Sequence, residues 1–292
     1  MKPILFLLLL TASYLQAQTA SDSTALLQGS WEIQNLPKGI IWKKIHFQNN
    51  ELFKANQSIN ILELPRKSRQ FSWALTTADS LPKTDKTKGQ LRPTSQIAQE
   101  NGAIVGVNGG FFDVKNGGSV DFFKSQGYIS DTTRALKGST AAFHGKAAVV
   151  IANKKLKILK GEPQVGWEYH LPYKDVMLSG PLLLLNGQPE ILAKNAFNDN
   201  RHPRTCVCIT HHNKVLLITV DGRSSQSFGM NLPELTFLAR QLGCRDALNL
   251  DGGGSTTMWI ANQGVVNYPS DNKKFDHEGE RAVSNVLLAI PK

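Results

Sequence analysis

The sequence predicts an α/β chain of mixed α+β type, with one large domain built mainly from a mixed β-sheet and a few flanking helices. Short apolar runs separated by turn residues recur along the chain, which is typical of many strands. Helical periodicity with recognisable ends occurs in only a few stretches. Apolar residues make up 41% of the 292 residues, enough for a sizeable core.

The first 17 residues predict export. Lys2 precedes an apolar run, Ile4 to Leu10, and small and polar residues follow up to Ala17. This is the pattern of a cleaved secretory signal, and the run is too short to span a bilayer. We therefore expect a mature chain that begins near Gln18, is periplasmic or secreted, and is not inserted in a membrane.

The formal charge of +10 favours anionic partners, although solvated lysines are the more ordinary explanation. The lysine-rich stretches do not interleave basic and aromatic residues as single-strand binders do, so nucleic acid is not an expected partner. The oligomeric state cannot be read from these patterns.

Residues 18–92 are predicted to form a β-rich N-terminal part and a linker. A mobile polar leader occupies 18–27, and Thr77 to Arg92 is an exposed loop. The strands predicted between them are Trp31 to Gln34, Ile40 to Phe47, Ile59 to Leu64 and Phe71 to Leu75.

Residues 93–292 are predicted to form the main part of the domain, which carries the candidate site residues. A helix begins near Thr94 or Ser95 and ends at Asn101-Gly102. The strands predicted next are Ala103 to Val107, Ala141 to Ile151, Leu156 to Leu159, Val176 to Leu185, Arg204 to Thr210 and Lys214 to Val220.

A strand, a helix and a second strand then follow in order. Leu216 to Val220 ends in Asp221, and Asn231 with Glu234 has the spacing of a capping box at the start of a helix that Gly243 ends. The second strand leads into Asp251. If the two strands run parallel, both aspartates emerge at one sheet edge, where open α/β sheets bind ligands.

Asp251 is the first candidate for chemistry because Gly252, Gly253 and Gly254 follow it. Without side chains, their N–H groups can approach an anion that the carboxylate acts upon. A plain structural turn is an equally open interpretation. The run lacks the lysine of a nucleotide phosphate loop and opens no helix as a dinucleotide motif does.

The other candidates each have a structural alternative. Asp221 is either a site residue or part of an Asp-Gly turn, and Glu234 is either a substrate-facing acid or only a helix cap. Arg201 and Arg204 suit an anion clamp or are simply solvated. The histidines show no metal-ligand spacing, and no metal site is expected.

Cys206, Cys208 and Cys244 do not form a disulfide framework. We expect them to be small buried apolar residues. A bridge from Cys206 or Cys208 to Cys244 in an oxidising compartment is the alternative.

Several of these runs together resemble the phosphodiester glycosidase family over roughly Ala98 to Ile290. The motifs that carry the resemblance are Asn108-Gly109-Gly110-Phe111-Phe112, Ser179-Gly180-Pro181, Arg204-Thr205, Asp221-Gly222, Gly229 to Glu234, Asn249-Leu250-Asp251-Gly252-Gly253-Gly254-Ser255 and Asn267-Tyr268-Pro269-Ser270. Asp113 and the stretch from Lys115 to Lys137 depart from the family pattern.

The resemblance implies hydrolysis of a sugar-1-phosphodiester at the anomeric carbon without a cofactor, on a small molecule or an exported glycan. The implied catalytic residues are Asp251, Glu234 and Asp221. The implied substrate- and phosphate-binding residues are Asn108, Gly109, Arg204, Thr205, Asn249, Gly252, Gly253, Ser255 and Arg281.

Two other functions remain open from the residues. One is a metal-assisted phosphodiesterase that cuts the P–O bond, with ligands drawn from Asp113, Asp121, Asp221 and Asp251. The other is a non-catalytic protein for glycan binding or polysaccharide maturation.

Overall fold

The computed structural model describes residues 20–79, 89–133 and 147–292. The predicted export signal lies outside this part of the chain, as do most of the loop predicted before Arg92 and the start of the strand predicted from Ala141. The first ten strands are β1 (Glu32–Leu36), β2 (Ile40–Leu52), β3 (Ala55–Pro65), β4 (Phe71–Thr77), β5 (Arg92–Pro93), β6 (Val105–Asn108), β7 (Phe123–Ser125), β8 (Tyr128–Asp131), β9 (Ala147–Ala152) and β10 (Lys155–Lys160). The next ten are β11 (Asp175–Ser179), β12 (Leu182–Leu185), β13 (Gln188–Pro189), β14 (Arg204–Thr210), β15 (Lys214–Val220), β16 (Cys244–Asn249), β17 (Met258–Ile260), β18 (Gly264–Val265), β19 (Ala282–Val283) and β20 (Asn285–Pro291).

Helices are few and short. Residues 20–28 are helical, and α-helices follow at Thr94–Glu100, Ala196–Asp199 and Leu232–Gln241. Single 3-10 turns occupy Pro37–Gly39, Trp167–His170 and Gly253–Ser255. The capping box is confirmed: the Asn231 side chain accepts from the Glu234 N–H while the Glu234 carboxylate accepts from the Asn231 N–H.

The largest sheet has the order β1-β2-β3-β15-β14-β16-β12-β13. Two five-stranded sheets have the orders β10-β9-β11-β7-β8 and β18-β17-β6-β20-β4, and β19 pairs with β5. Neighbouring strands in the described residues pair antiparallel. Because β15 and β16 are both antiparallel to the β14 between them, they point the same way and end at one edge, as the site prediction required.

The three large sheets share one apolar core. A single cluster of buried side chains contains residues from all three: Leu62 and Val207 from the largest sheet, Val105 and Leu287 from the sheet that contains β6 and β20, and Val149 from the sheet that contains β9. A second cluster packs the helix Leu232–Gln241 against the other face of the largest sheet. The expected single α+β domain is thereby confirmed, and the helix Leu232–Gln241 covers a sheet face as its apolar spacing predicts.

The prediction of a mobile leader at 18–27 is wrong for the residues described. Residues 20–28 form a helix with Leu26 buried, and the Asp22 carboxylate accepts a hydrogen bond from the Phe53 N–H at 2.8 Å. The Ser23 hydroxyl also bonds Gln241 at 2.9 Å. The segment is polar along most of its length, so its few apolar contacts left little signal in the sequence.

The strand predicted from Val176 to Leu185 is two strands. β11 ends at Ser179 and belongs to a different sheet from β12, which starts at Leu182. Gly180 and Pro181 separate them, and an apolar run that is buried on both faces hides such a break.

The cysteine prediction is also wrong in part, because Cys208 and Cys244 form a disulfide with a Cα–Cα distance of 5.8 Å. β14 and β16 are neighbours, and Thr210 opposite Cys244 fixes the register that brings Cys208 close. Cys206 is free and fully buried, as expected. Among the described residues, no helix has the length and apolar character to cross a membrane.

Candidate active site

Three strand ends meet around Asp251. Asp251 lies two residues after β16, and its N–H donates to the Gly109 carbonyl, just after β6, at 3.0 Å. On the other side, the Gly253 N–H donates to the carbonyl of Pro203, just before β14, at 2.9 Å. The loop after β16 is thus fixed between two sheets.

The Asp251 carboxylate is partly buried. Its Oδ1 accepts from the Gly252 N–H at 2.9 Å. Burial raises the pKa of Asp251 to about 6, while the Ser255 hydroxyl, the Gly252 N–H and two arginines, Arg281 and Arg223, act to lower it. A carboxylate that titrates this close to neutrality is common at catalytic sites.

Two arginines, Arg223 and Arg281, lie against the glycine loop. A side-chain carbon on Gly253 would lie 2.9 Å from the Arg223 guanidinium, and one on Gly254 would lie 2.7 Å from that of Arg281. Arg223 is exposed, whereas Arg281 is anchored by Asp271 at 3.0 Å. The glycines therefore let two cations approach the loop that bears Asp251.

This arrangement corrects the expectation that the glycine N–H groups cradle an anion. The Gly252 N–H donates to Asp251, and the Gly253 N–H donates to Pro203. The donors of Gly252 and Gly253 are thus already used within the protein, and Arg281 and Arg223 supply positive charge near Asp251.

Asn108 and Thr205 hold the Asp251 backbone from within the protein. The Asn108 Nδ2 donates to the Asp251 carbonyl at 2.7 Å, and its Oδ1 accepts from the Thr205 hydroxyl at 2.7 Å and from the Thr257 N–H at 3.1 Å. Asn108 and Thr205 are both fully buried. They position Asp251 and have no surface with which to touch a substrate.

Gly109 and Asn249 are buried in the same way. The Gly109 N–H donates to the Asn285 carbonyl at 2.9 Å, and a side chain on Gly109 would strike the Asn285 amide. The Asn249 Nδ2 donates to the Gly180 carbonyl at 2.8 Å, and its own carbonyl accepts from the Ser179 hydroxyl at 3.0 Å. Asn249 thus ties the end of β16 to the turn between β11 and β12, and Gly109 ties the end of β6 to β20.

Asp221 lies near this cluster but is 1% exposed. Its carboxylate accepts from the Ser58 hydroxyl at 2.7 Å, the Asn267 Nδ2 at 2.9 Å and the Tyr268 N–H at 2.8 Å. Burial raises its pKa, and these three donors oppose the rise. Asn267 also bonds the Thr256 carbonyl at 3.0 Å, which ties Asp221 to the Asp251 loop.

Arg204 does not form the predicted anion clamp, because it is 1% exposed and its guanidinium is occupied by backbone carbonyls. Its Nε donates to Met230 at 2.9 Å, and its Nη2 donates to Phe197 at 2.7 Å and to Asn200 at 3.0 Å. Burial lowers the pKa of Arg204 to about 10, and the nearby Glu234 carboxylate opposes this. Arg204 joins three segments of chain beneath the site.

Glu234 combines its cap with an ion pair. Its carboxylate accepts from the Arg201 Nε at 3.0 and 3.1 Å and from Nη2 at 2.5 Å, and Arg201 also donates to the Phe53 carbonyl at 2.6 Å. Arg201 and Glu234 thus neutralise each other at the start of the helix Leu232–Gln241.

A cleft of about 330 Å³ opens beside Asp221. Its wall includes Ser58 and Tyr268, two of the residues that bond the Asp221 carboxylate, and Tyr268 stacks on His277 with 4.5 Å between ring centroids. The segment that carries Tyr268 continues to Asp271, the partner of Arg281. One short segment therefore connects this cleft with the Asp251 loop.

The structure brings the predicted residues into two groups, and Asp221 is tied to the first of them through Asn267. Around Asp251 lie the candidates that the loop and its supports provide, namely Asn108, Gly109, Thr205, Asn249, Gly252, Gly253, Ser255 and Arg281. Arg204 and Glu234 form a second, structural group around Met230. Sequence reasoning missed Arg223, although its position directly after Asp221-Gly222 at the same sheet edge could have indicated it.

Known proteins match this chain over the part that builds the site. The family model described as phosphodiester glycosidase matches residues 101–290. N-acetylglucosamine-1-phosphodiester alpha-N-acetylglucosaminidase from mouse is 25% identical over 189 residues, which are 59% of this chain and 34% of that protein. The chain thus matches about a third of the length of this curated relative.

Solved structures share the fold. The catalytic domain of the zebrafish N-acetylglucosamine-1-phosphodiester alpha-N-acetylglucosaminidase superposes with a TM-score of 0.63 at 21% identity, covering 90% of this chain and 88% of that one. A hypothetical protein from Synechocystis gives a TM-score of 0.66 at 15% identity, covering 90% and 64%. With a family model that spans most of the chain and contains every strand end of the Asp251 site, this protein belongs to the phosphodiester glycosidase family.

Proposed function

We propose that the protein hydrolyses a sugar-1-phosphodiester at the anomeric carbon, with Asp251 as the catalytic carboxylate. The observation that carries the proposal is the partly buried Asp251 carboxylate, whose pKa is raised to about 6 between Arg223 and Arg281. A carboxylate beside the sugar ring stabilises an oxocarbenium-like transition state or attacks it. The two guanidinium groups suit the phosphate on the other side of the bond.

In this mechanism the bond between the anomeric carbon and the bridging oxygen breaks. The electron pair of that bond leaves with the phosphate, which departs as a phosphomonoester anion, and water supplies the oxygen that ends on the sugar. Arg223 and Arg281 stabilise the charge that develops on the phosphate. Because this leaving group is already an anion, the reaction needs less help from a general acid than ordinary glycoside hydrolysis does.

The remaining acids support a mechanism with a single reacting carboxylate. Asp221 is 1% exposed and its carboxylate already accepts from three protein donors, and Glu234 is bound by Arg201 and its own helix cap. We propose Asp221 and Glu234 as positioning residues, together with Asn108 and Arg204.

We also propose that the protein acts outside the cytoplasm. The predicted export signal and the Cys208–Cys244 disulfide both support this, since stable disulfides form mainly in oxidising compartments.

The test uses a model sugar-1-phosphodiester in water labelled with heavy oxygen. Asp251→Asn should reduce turnover on the order of a hundredfold or more without loss of folded protein. Asp199→Asn, at an exposed aspartate on the helix Ala196–Asp199, is the matched control and should retain full activity.

The position of the label decides which bond breaks. Label on the sugar supports the proposal. Label on the phosphate, with activity lost to a chelator, would establish a metal-assisted phosphodiesterase instead. Full activity in well-folded Asp251→Asn protein would remove Asp251 from the mechanism.

A further inference from the structure

A second cleft, of about 550 Å³, lies at the start of β11. It is bounded by the turn between β9 and β10, by the start of β4 and by the segment that leads into β11. Its lining residues with charged or aromatic side chains are Trp73, Lys154, Lys157, Tyr173, Lys174 and Asp175.

Positive charge dominates this cleft. Among the described residues, Lys154, Lys157 and Lys174 form no salt bridge with a carboxylate, and the Lys157 ammonium lies 6.0 Å from the centre of the Tyr173 ring. Asp175 is the acid in the lining; it accepts from the Gln126 N–H at 2.8 Å and its carboxylate partly offsets the charge of the adjacent Lys174, so the cleft keeps an excess of positive charge. Three cations around one concavity repel each other, and an anionic ligand would relieve that repulsion.

The cleft is connected to the catalytic region by a single strand. β11 runs from Asp175, in the cleft, to Ser179, whose hydroxyl donates to the Asn249 carbonyl at 3.0 Å. At about 3.3 Å per residue, these two ends of the strand lie roughly 13 Å apart. A chain of several sugars is long enough to reach from one end of β11 to the other.

We propose that this cleft binds an anionic polysaccharide, a sugar chain that carries phosphate or carboxylate groups, and so holds a polymeric substrate while Asp251 acts on one of its linkages. The lysines pair with the anionic groups of the sugar chain. The link to catalysis rests on the proposed function, whereas binding by the cleft does not. Because the contacts are exposed ion pairs, added salt weakens them.

The binding test compares two charge-reversed variants by electrophoresis through gels that contain a polysaccharide. Lys154→Glu/Lys174→Glu alters the cleft, and Lys54→Glu/Lys194→Glu is the matched control. All four lysines are exposed, and Lys54 and Lys154 occupy equivalent left-handed positions in hairpin turns, with φ of 54° and 63°. The probes are a phosphorylated mannan, polygalacturonate and neutral dextran.

The parent and the control variant should be retarded by at least one anionic glycan and not by dextran, and the cleft variant should bind on the order of tenfold more weakly. Comparison of the mannan with polygalacturonate tells phosphate from carboxylate. Equal retardation of the two variants, no retardation by either anionic glycan, or tighter binding to duplex DNA than to both glycans would overturn the proposal. Should the cleft variant unfold, Lys154→Gln/Lys174→Gln takes its place.

Kinetics then separate this proposal from the function of the Asp251 site. The cleft variant should hydrolyse a small sugar-1-phosphodiester as the parent does but show a raised KM for the polymer. Weakened glycan binding in a protein that hydrolyses no sugar-1-phosphodiester would reject the catalytic proposal and leave the cleft proposal standing.

Discussion

At the scale of single residues, burial and charge act on Asp251 in opposite directions. Burial penalises the ionised carboxylate, while Arg223, Arg281 and two hydrogen-bond donors favour it, and the outcome is a pKa of about 6. The ordinary pKa of an aspartate is about 4. Asp251 is therefore held ionised at neutral pH at some cost in stability.

The pH dependence follows from this raised pKa. If the ionised carboxylate is the reacting form, kcat/KM should fall below a pH of about 6, with a slope approaching one on a logarithmic plot. A pH–rate profile on a small sugar-1-phosphodiester measures this. A profile that stays flat down to pH 5 would contradict the assignment.

The free energy of unfolding should also depend on pH through Asp251. A carboxyl group with a raised pKa contributes most to stability below its unfolded pKa, and that contribution is lost as pH rises through about 6. Asp251→Asn should therefore be at least as stable as the parent at pH 8, and its advantage should shrink towards pH 4. Thermal unfolding at both pH values tests this.

Substitutions of Arg223 and Arg204 should distinguish an arginine that binds substrate from one that stabilises the fold. Arg223→Ala should raise the KM or lower the kcat for a phosphodiester substrate with an unchanged melting temperature, because Arg223 is exposed beside the glycine loop. Arg204→Ala should instead lower the free energy of unfolding on the order of 3 kcal/mol, since it leaves buried carbonyls without donors.

Arg240→Ala, at an exposed position of the helix Leu232–Gln241, is the control for loss of one positive charge. Enzyme kinetics and urea unfolding on all three variants provide the comparison. A stable Arg204→Ala protein with only a raised KM would restore Arg204 as a substrate contact.

These residues also show how far sequence can locate a site. Strand ends and glycines point to Asp251, and the capping box fixes the start of its helix. The sequence does not show whether a charged side chain points into the protein, because Arg204 and Arg223 both lie at the same edge of the sheet. Only the carbonyls that gather around Arg204, from Phe197, Asn200 and Met230, decide it.

At the scale of elements, the disulfide joins two central strands of the largest sheet. It closes a loop with a sequence separation of 36 that contains β15 and the helix Leu232–Gln241. In the chain-entropy treatment, such a loop stabilises the folded state by about 4 kcal/mol. The bridge therefore ties β14 to β16, the strand that leads into Asp251.

Removal of the disulfide should lower the free energy of unfolding. Cys208→Ala/Cys244→Ala should lose up to about 4 kcal/mol of the free energy of unfolding, measured with urea. Cys206→Ala is the comparison, because it removes a buried thiol on the same strand without touching the bridge. A double variant as stable as the parent would show that the bridge adds nothing in solution.

Local patterns predicted most strands but not their partners. β2, β3 and β4 begin or end within a few residues of the prediction, and β4 shows the alternation of buried and more exposed positions most clearly. β11 and β12 are buried on both faces, so their pattern carries no sign that they part into different sheets. Partners depend on contacts such as Ser58 with Asp221, which are 163 residues apart.

At the scale of the whole molecule, the three large sheets have one core in common, and the site lies where strand ends from two of them meet. Composition and patterning were sufficient to predict one α+β domain. They could not predict that the N-terminal strands lie inside the largest sheet, because an amphipathic strand gives no signal that distinguishes an edge from the centre.

The place of β3 in the largest sheet limits how this protein can be divided or fused to others. β3 lies between β2 and β15, and its Ser58 holds Asp221. The stretch that matches the family model starts at residue 101 and omits this strand. A gene fusion cut at that boundary would leave β15 with an unpaired edge, which promotes aggregation, and Asp221 without one of its donors. The segment that must stay together for the sheet to form is therefore longer than the segment that matches the family model.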